Sequence, residues 1–170
     1  MITEFILTYR CTPRGGIGAY SSEKRFPSHK ECVDYIANEN AKIDAYAAKH
    51  GINIDEPVYT TESIEEVELR FANMLGYTDV HPNEIVRYVS DKTLEIREMN
   101  TELLNPEDLE FHLGGFSAHC SNQRCQEYKY TSNEDAPIRR IRKNNKGQWV
   151  YKGTRYSVSD TPHKFYDYNF

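Results

Sequence analysis

The sequence predicts an α+β fold: an antiparallel sheet with two main helices and a C-terminal β-meander, in a single domain spanning residues 1–170. Three observations predict it. Two Ser-x-x-Glu capping boxes, Ser28 to Glu31 and Ser63 to Glu66, each open a stretch with apolar residues at helical spacing. Residues 2–11 are rich in Ile, Phe, Leu and Tyr in loose alternation, which marks a strand. Beyond residue 126, short apolar runs are separated by turn-forming clusters. A chain of 170 residues is long enough to bury a core without metals or crosslinks.

Taken in order, the strand over 2–11 is followed by a turn at Pro13 and Gly15-Gly16, and Ile17 to Ser22 returns as a second strand. A helix is predicted over 29–50. Its apolar face is Cys32, Val33, Ile36, Ile43, Tyr46 and Ala47, and Gly51 supplies a left-handed stop. The second helix opens at Ser63, carries Ile64, Val67, Phe71, Met74 and Leu75 on one face, and ends at Gly76. Residues 83–89 fit a short helix or a strand equally, whereas 92–98 alternate as a strand. Asn105-Pro106 predicts a short helix broken at Gly114-Gly115. Strands are then expected at 126–131, 138–143, 148–151 and 154–158, with turns at Asn144–Gly147 and Lys152-Gly153. The closing KFYDYNF is too aromatic to be left in solvent and is expected to dock.

Apolar residues make up 38% of the chain and the mean hydropathy is -0.76, so a wet surface and a modest core are expected. The 13 tyrosines suit half-buried strands, and they also suit binding faces. No apolar run reaches bilayer length, and the first residues lack the basic start of a signal peptide. Cys11, Cys32, Cys120 and Cys125 are scattered, which predicts free thiols in a reducing, cytoplasmic setting.

Net charge is -5 but strongly segregated. Residues 53–110 hold fifteen acids against Arg70, Arg87, Lys92 and Arg97. Residues 139–155 hold Arg139, Arg140, Arg142, Lys143, Lys146, Lys152 and Arg155 with no acid. Such asymmetry bears on partners rather than on fold. The basic run interleaves its cations with Trp149 and Tyr151: cations neutralise phosphates, and aromatics on a sheet can stack bases. A plain wet sheet face with snorkelling cations is the alternative. The acidic stretch presents Glu62, Glu65, Glu66 and Glu68 as an exposed helical cluster that could meet a basic protein surface.

The segment FHLGGFSAHCSNQRC brings His112, His119, Cys120 and Cys125 close in sequence. These are residue types that zinc prefers, although adjacent His119 and Cys120 would point to opposite faces of a strand. A cysteine here with either histidine could also form a nucleophile–base pair, with Ser117, Ser121, Asn122, Gln123 and Arg124 as an anion-binding loop. The segment Arg14 to Gly18 lacks the Lys and Ser/Thr of a phosphate-binding loop and reads as a turn.

In its size, its Tyr and Asn content, its uneven charge and its closing SDTPHKFYDYNF, the chain resembles the small early host-takeover proteins of T-even-like bacteriophages. The resemblance implies a protein of the host cytosol that grips nucleic acid or a host nucleic-acid-processing complex such as RNA polymerase, and turns over no substrate. The leading expectation is therefore a non-enzymatic, viral-type binding protein without a cofactor, using Arg139, Arg140, Arg142, Lys143, Lys146, Trp149, Tyr151, Lys152 and Arg155. The alternatives are an inhibitor of a basic host protein acting through the acidic helices, and a small enzyme or zinc protein built on His112, His119, Cys120 and Cys125. Composition leaves the oligomeric state open.

Overall fold

The computed structural model describes residues 2–13, 18–54, 56–114 and 117–169. It packs as two compact units, one of Thr3–Glu68 and the other of Met1–Ile2 with Leu69–Phe170. The predicted turn at Gly15-Gly16 and the break at Gly115 lie outside the described residues.

In the first unit, β1 (Thr3–Cys11) is the centre of a three-stranded antiparallel sheet, flanked by β2 (Tyr20–Phe26) and β3 (Tyr59–Glu68). Helix α1 (His29–Lys49) supplies the cover for one face. Leu7, Tyr9 and Cys32 are buried between them, with Phe5, Phe26, Tyr35, Ile36 and Ile64 packed around. The Ser28 cap forms as the sequence requires: its side chain accepts the Glu31 amide at 3.3 Å. The helix ends in a Schellman motif, with Gly51 at φ +63 and the Ile52 amide donating to the Ala47 carbonyl at 2.9 Å.

The α+β prediction with two main helices is overturned. The fold is mostly β, with one α-helix among the described residues and a closed six-stranded antiparallel barrel. The stretch read as a second helix is β3 followed by β4 (Phe71–Leu75). Its apolar residues do recur at helical spacing, but odd separations place them on opposite faces of a strand. Ile64 sits beside Leu7 on the helix side, and Val67 beside Glu4 on the other. The β1 ladder, running from Thr3↔Glu68 to Cys11↔Tyr59, pairs the β3 part, and residues 155–159 pair Phe71–Leu75; together they outweigh a weak local propensity. Gly76 does not end a helix. It opens a tight turn in which its amide donates to the Asp79 carbonyl at 2.8 Å, and a Cβ there would stand 2.9 Å from that oxygen.

The second unit holds the barrel. Its strands are β4, β6 (Asn83–Ser90), β7 (Thr93–Glu98), β12 (Arg139–Lys143), β13 (Trp149–Tyr151) and β14 (Thr154–Ser159), each antiparallel to the next. Pairing of β14 with β4, from Arg155↔Leu75 to Ser159↔Phe71, closes the circle. Ala72, Leu94, Ile96, Ile141, Trp149 and Tyr156 fill the interior, as a barrel this narrow requires. The ambiguity over 83–89 resolves as a strand, with register shifts between Ile85 and Arg87 and between Tyr88 and Ser90. Those shifts leave Val86 and Val89 outside, and they explain the helix-like spacing.

The connections carry short elements. β5 (Val80–His81) extends the β4 edge, β8 (Asn100–Leu103) pairs with β11 (Tyr128–Thr131), and β9 (Phe111–Gly114) pairs with β10 (Ser117–Cys120). The helix predicted at Asn105-Pro106 is one 3-10 turn, Pro106–Asp108. Asn105 does not cap it. Its carboxamide instead donates to the Cys125 carbonyl and accepts the Glu127 amide, stitching two loops together. The closing aromatic segment docks, as expected, and Phe165 bridges to Val80. No helix among the described residues is long and apolar enough to cross a membrane.

Candidate nucleic-acid interface

The basic segment supplies three consecutive barrel strands, and alternation sorts its side chains. Ile141, Trp149 and Tyr156 point inward and are buried. Arg140, Arg142, Val150 and Arg155 point outward. The register sets Arg142 beside Val150 and Val150 beside Arg155, so the two guanidinium groups flank a valine across neighbouring strands. Two strand spacings put their backbones about 10 Å apart.

Not all seven cations are free. Glu95 accepts Arg87 in a fork, 2.8 Å from Nε and 3.2 Å from Nη2, and also takes Arg140 Nη2. The Arg87 guanidinium, and then that of Arg140, hold the Glu95 carboxyl below the usual carboxylate range. Arg139 lies 3.7 Å from Glu98. Among the described residues, Arg142, Lys143, Lys146, Lys152 and Arg155 have no ion-pair partner, and all five are exposed. Lys143 Nζ lies 5.0 Å over the Trp149 ring, and Lys152 Nζ lies 5.4 Å over the Tyr151 ring.

The two turns hold their cations outward. Asn144 Oδ1 accepts the Lys146 amide at 2.9 Å and the Gln148 amide at 3.0 Å, and Gly147 takes φ +76. At the other turn Lys152 has φ +47 and Gly153 φ +86, the two positive values of a type I′ hairpin. Lys152 is the described non-glycine residue with positive φ. Asn or Gly would sit there with less strain, so the lysine trades stability for a cation at the tip. Lys152→Gly is expected to raise stability by about 1 kcal/mol, read by urea melts, and to weaken polyanion binding in the same protein.

The structure corrects the stacking role given to Trp149 and Tyr151. Trp149 is 7% exposed in the barrel core, and Tyr151 is half-buried against that core. The side chain turned outward on this strand is Val150. The acidic set is corrected as well, since it lies on β3 and not on a helix. Glu65 sits beside Ile6 on one face and Glu66 beside Phe5 on the other, with Glu68 on the Glu66 side. Glu62 falls at the register shift and accepts the Ser21 hydroxyl at 3.1 Å. The four carboxylates are exposed but form no single cluster.

His112, His119, Cys120 and Cys125 do not converge, and no group of three metal-ligating side chains gathers among the described residues. His112 and His119 face each other across the β9–β10 hairpin, whereas Cys120 pairs with Phe111 and is buried with its Sγ 3.6 Å from Asn122 Oδ1. Cys125 is exposed on another turn, and all four cysteines are free thiols. Ser121 Oγ lies 3.2 Å from His112 Nε2 and donates to Glu110 at 2.9 Å. That order puts the serine between the imidazole and the carboxylate, and its hydroxyl hydrogen points at Glu110 rather than at the imidazole that would have to draw it off.

Sequence reasoning missed Glu95, whose role appears only once β7 is seen between β6 and β12. Alternation of Glu95 with Leu94 and Ile96 was the available signal. It also missed the contact of Lys164 Nζ with His81 Nδ1 at 3.1 Å. Burial, and then Lys164, push the His81 imidazole below its ordinary pKa, and burial pushes the Lys164 amine down. No protein-family model, curated protein or solved structure matches the chain.

Proposed function

We propose that this chain is a non-enzymatic binding protein, of the phage host-takeover type, whose ligand is nucleic acid or a nucleic-acid-processing complex held on the outer surface of β12–β14. The observation that carries this reading is the set of five exposed cations, Arg142, Lys143, Lys146, Lys152 and Arg155, none of which forms an ion pair among the described residues. Three further points support it. Arg142 and Arg155 are rigidly spaced by the barrel ladder. Strain is tolerated at Lys152. Of the aromatics that would read bases, Trp149 is buried in the core and Tyr151 is half-buried against it. The grip is therefore on the phosphate backbone and indifferent to sequence.

Titration of labelled single- and double-stranded oligonucleotides by fluorescence anisotropy, at rising salt, tests the reading. Affinity should fall linearly on a log–log plot with a slope of about -3 to -4.5, given four or five phosphate contacts. Absence of binding at the lowest salt, or a flat salt response, would overturn it. Glu95→Gln should release Arg87 and Arg140 and tighten binding several-fold in the same assay, with a steeper slope.

A further inference from the structure

Residues 161–169 lie in a groove of the second unit that reads their backbone with side chains. The amides of His163, Lys164, Tyr166, Asp167 and Tyr168 donate to Asn73 Oδ1, the Tyr130 hydroxyl, Gln126 Oε1, Asp79 Oδ1 and Gln123 Oε1, at 2.8–3.1 Å. Phe165 alone in this run pairs with a backbone, exchanging two hydrogen bonds with Val80. Two carboxamides act as two-point clasps. Asn73 takes the His163 amide and donates to the Thr161 carbonyl at 3.2 Å, and Gln126 takes the Tyr166 amide and donates to its carbonyl at 2.7 Å. The segment's own Asn169 clasps Cys120 in the same way, at 2.7 and 3.0 Å. Most hydrogen bonds in folded chains join backbone to backbone. Here a row of side chains stands in for the missing neighbour strand, which is recognition of an extended peptide by its main chain.

Side-chain selectivity is added at two places. The Tyr168 ring meets Phe111 edge-on at 5.2 Å and Tyr166 at 4.9 Å. Lys164 Nζ meets His81 Nδ1, with the carboxylates of Asp79 and Glu98 facing both.

We propose that this groove is an exchangeable peptide site, and that its occupant in trans is residues 161–169 of a second copy of the chain, exchanged reciprocally to form a dimer. The chain's own segment is the one sequence whose fit to the groove is demonstrated atom by atom. Cis and trans forms make the same contacts, so concentration and the ease of opening decide between them. Opening is proton-sensitive. Because folding holds the His81 imidazole below its ordinary value, the undocked chain binds the extra proton first. Docking therefore weakens as pH falls through about 6.5, and the loss is complete below the folded value. Protonated His81 would stand against the Lys164 ammonium, an opposition that Asp79 and Glu98 only partly offset. Thermal melts should lose stability between about pH 7.5 and pH 5.5, and the loss should be blunted in His81→Gln.

A crosslink between the bridged positions tests the exchange. Hydrogen-bonded antiparallel partners have Cα atoms about 5.5 Å apart, within disulfide reach. Val80→Cys with Phe165→Cys, in a Cys125→Ser background, is held concentrated at about pH 5, returned to about pH 8 and oxidised. A covalent dimer on a non-reducing gel, requiring both new cysteines and the acid step, is the expected result. A monomer closed by an internal disulfide would overturn the proposal. The unsubstituted chain, taken through the same pH cycle, should show a dimer by light scattering, and persistence of the monomer overturns the proposal independently of how the variant folds.

Discussion

Reversing Arg142 and Arg155 together to Glu is expected to lower affinity for an oligonucleotide by about 100-fold at 0.1 M salt and to reduce the salt slope by about 2. Each phosphate contact contributes about 0.9 log units at that ionic strength, so loss of two accounts for roughly 60-fold, and repulsion from the new carboxylates supplies the rest. The pair is chosen because both guanidinium groups point out of the barrel without an acid beside them, one on each side of Val150. Stability should change little, since neither side chain contributes to the barrel core. Arg140, two residues before Arg142 on the same strand, provides the internal comparison. Its guanidinium is already held by Glu95, so Arg140→Glu should cost less affinity than Arg142→Glu. Equal losses from the two single variants would mean that net charge, and not this arrangement, governs binding. An unchanged affinity in the folded double variant would remove the patch as the site.

The elements that were legible in the sequence are those whose signals are local. Ser28, Glu31 and Gly51 sit at the two ends of α1 and determine its bounds through their own backbone hydrogen bonds. The turns at Asn144–Gly147 and Lys152-Gly153 likewise carry their geometry in their residue types, and the meander they join is present. The stretch from Ser63 to Gly76 was not legible. Ser63-x-x-Glu66 matches a capping box as well as the real one does, yet Ser63 lies inside a ladder opposite Thr8. Nothing local announces that β1 needs a partner on both edges. The same applies to 83–89, where two register shifts counterfeit a helical period.

The candidate site divides in the same way. That residues 139–155 form a basic sheet surface followed from composition and turn chemistry. Which cations are free did not, because Glu95 and Glu98 arrive from β7, more than forty residues earlier in the chain. Closure of the barrel decides the fate of the aromatics. In an open hairpin, residues 149 and 151 would share a face with equal chances of meeting solvent, but pairing of β14 with β4 makes that face the interior. The sequence expected Trp149 on the face of the partner-strand cations, whereas the barrel turns it inward, away from Arg142 and Arg155, and leaves Lys143 as the cation beside its ring.

Trp149→Ala is therefore expected to destabilise the barrel by about 3–5 kcal/mol, against a total stability of the order of 5–15 kcal/mol for a domain. The indole is 7% exposed and packs with Leu94, Ile96, Ile141 and Tyr156, so truncation leaves a cavity that a closed barrel has little freedom to collapse. Urea unfolding followed by circular dichroism measures the loss, because the substitution removes the chain's one tryptophan. The milder Trp149→Phe keeps an aromatic in the core and should leave oligonucleotide affinity within about twofold of the original, since stacking on a base would otherwise be worth about 1–3 kcal/mol. Lys143 adds a graded consequence. Its ammonium is held over the indole, so Trp149→Phe weakens that cation–π contact and loosens one of the five free cations without discharging it. A Trp149→Ala protein that melts like the original but has lost binding would show that the ring faces the ligand, and would sink the core assignment together with the backbone-only reading of the interface.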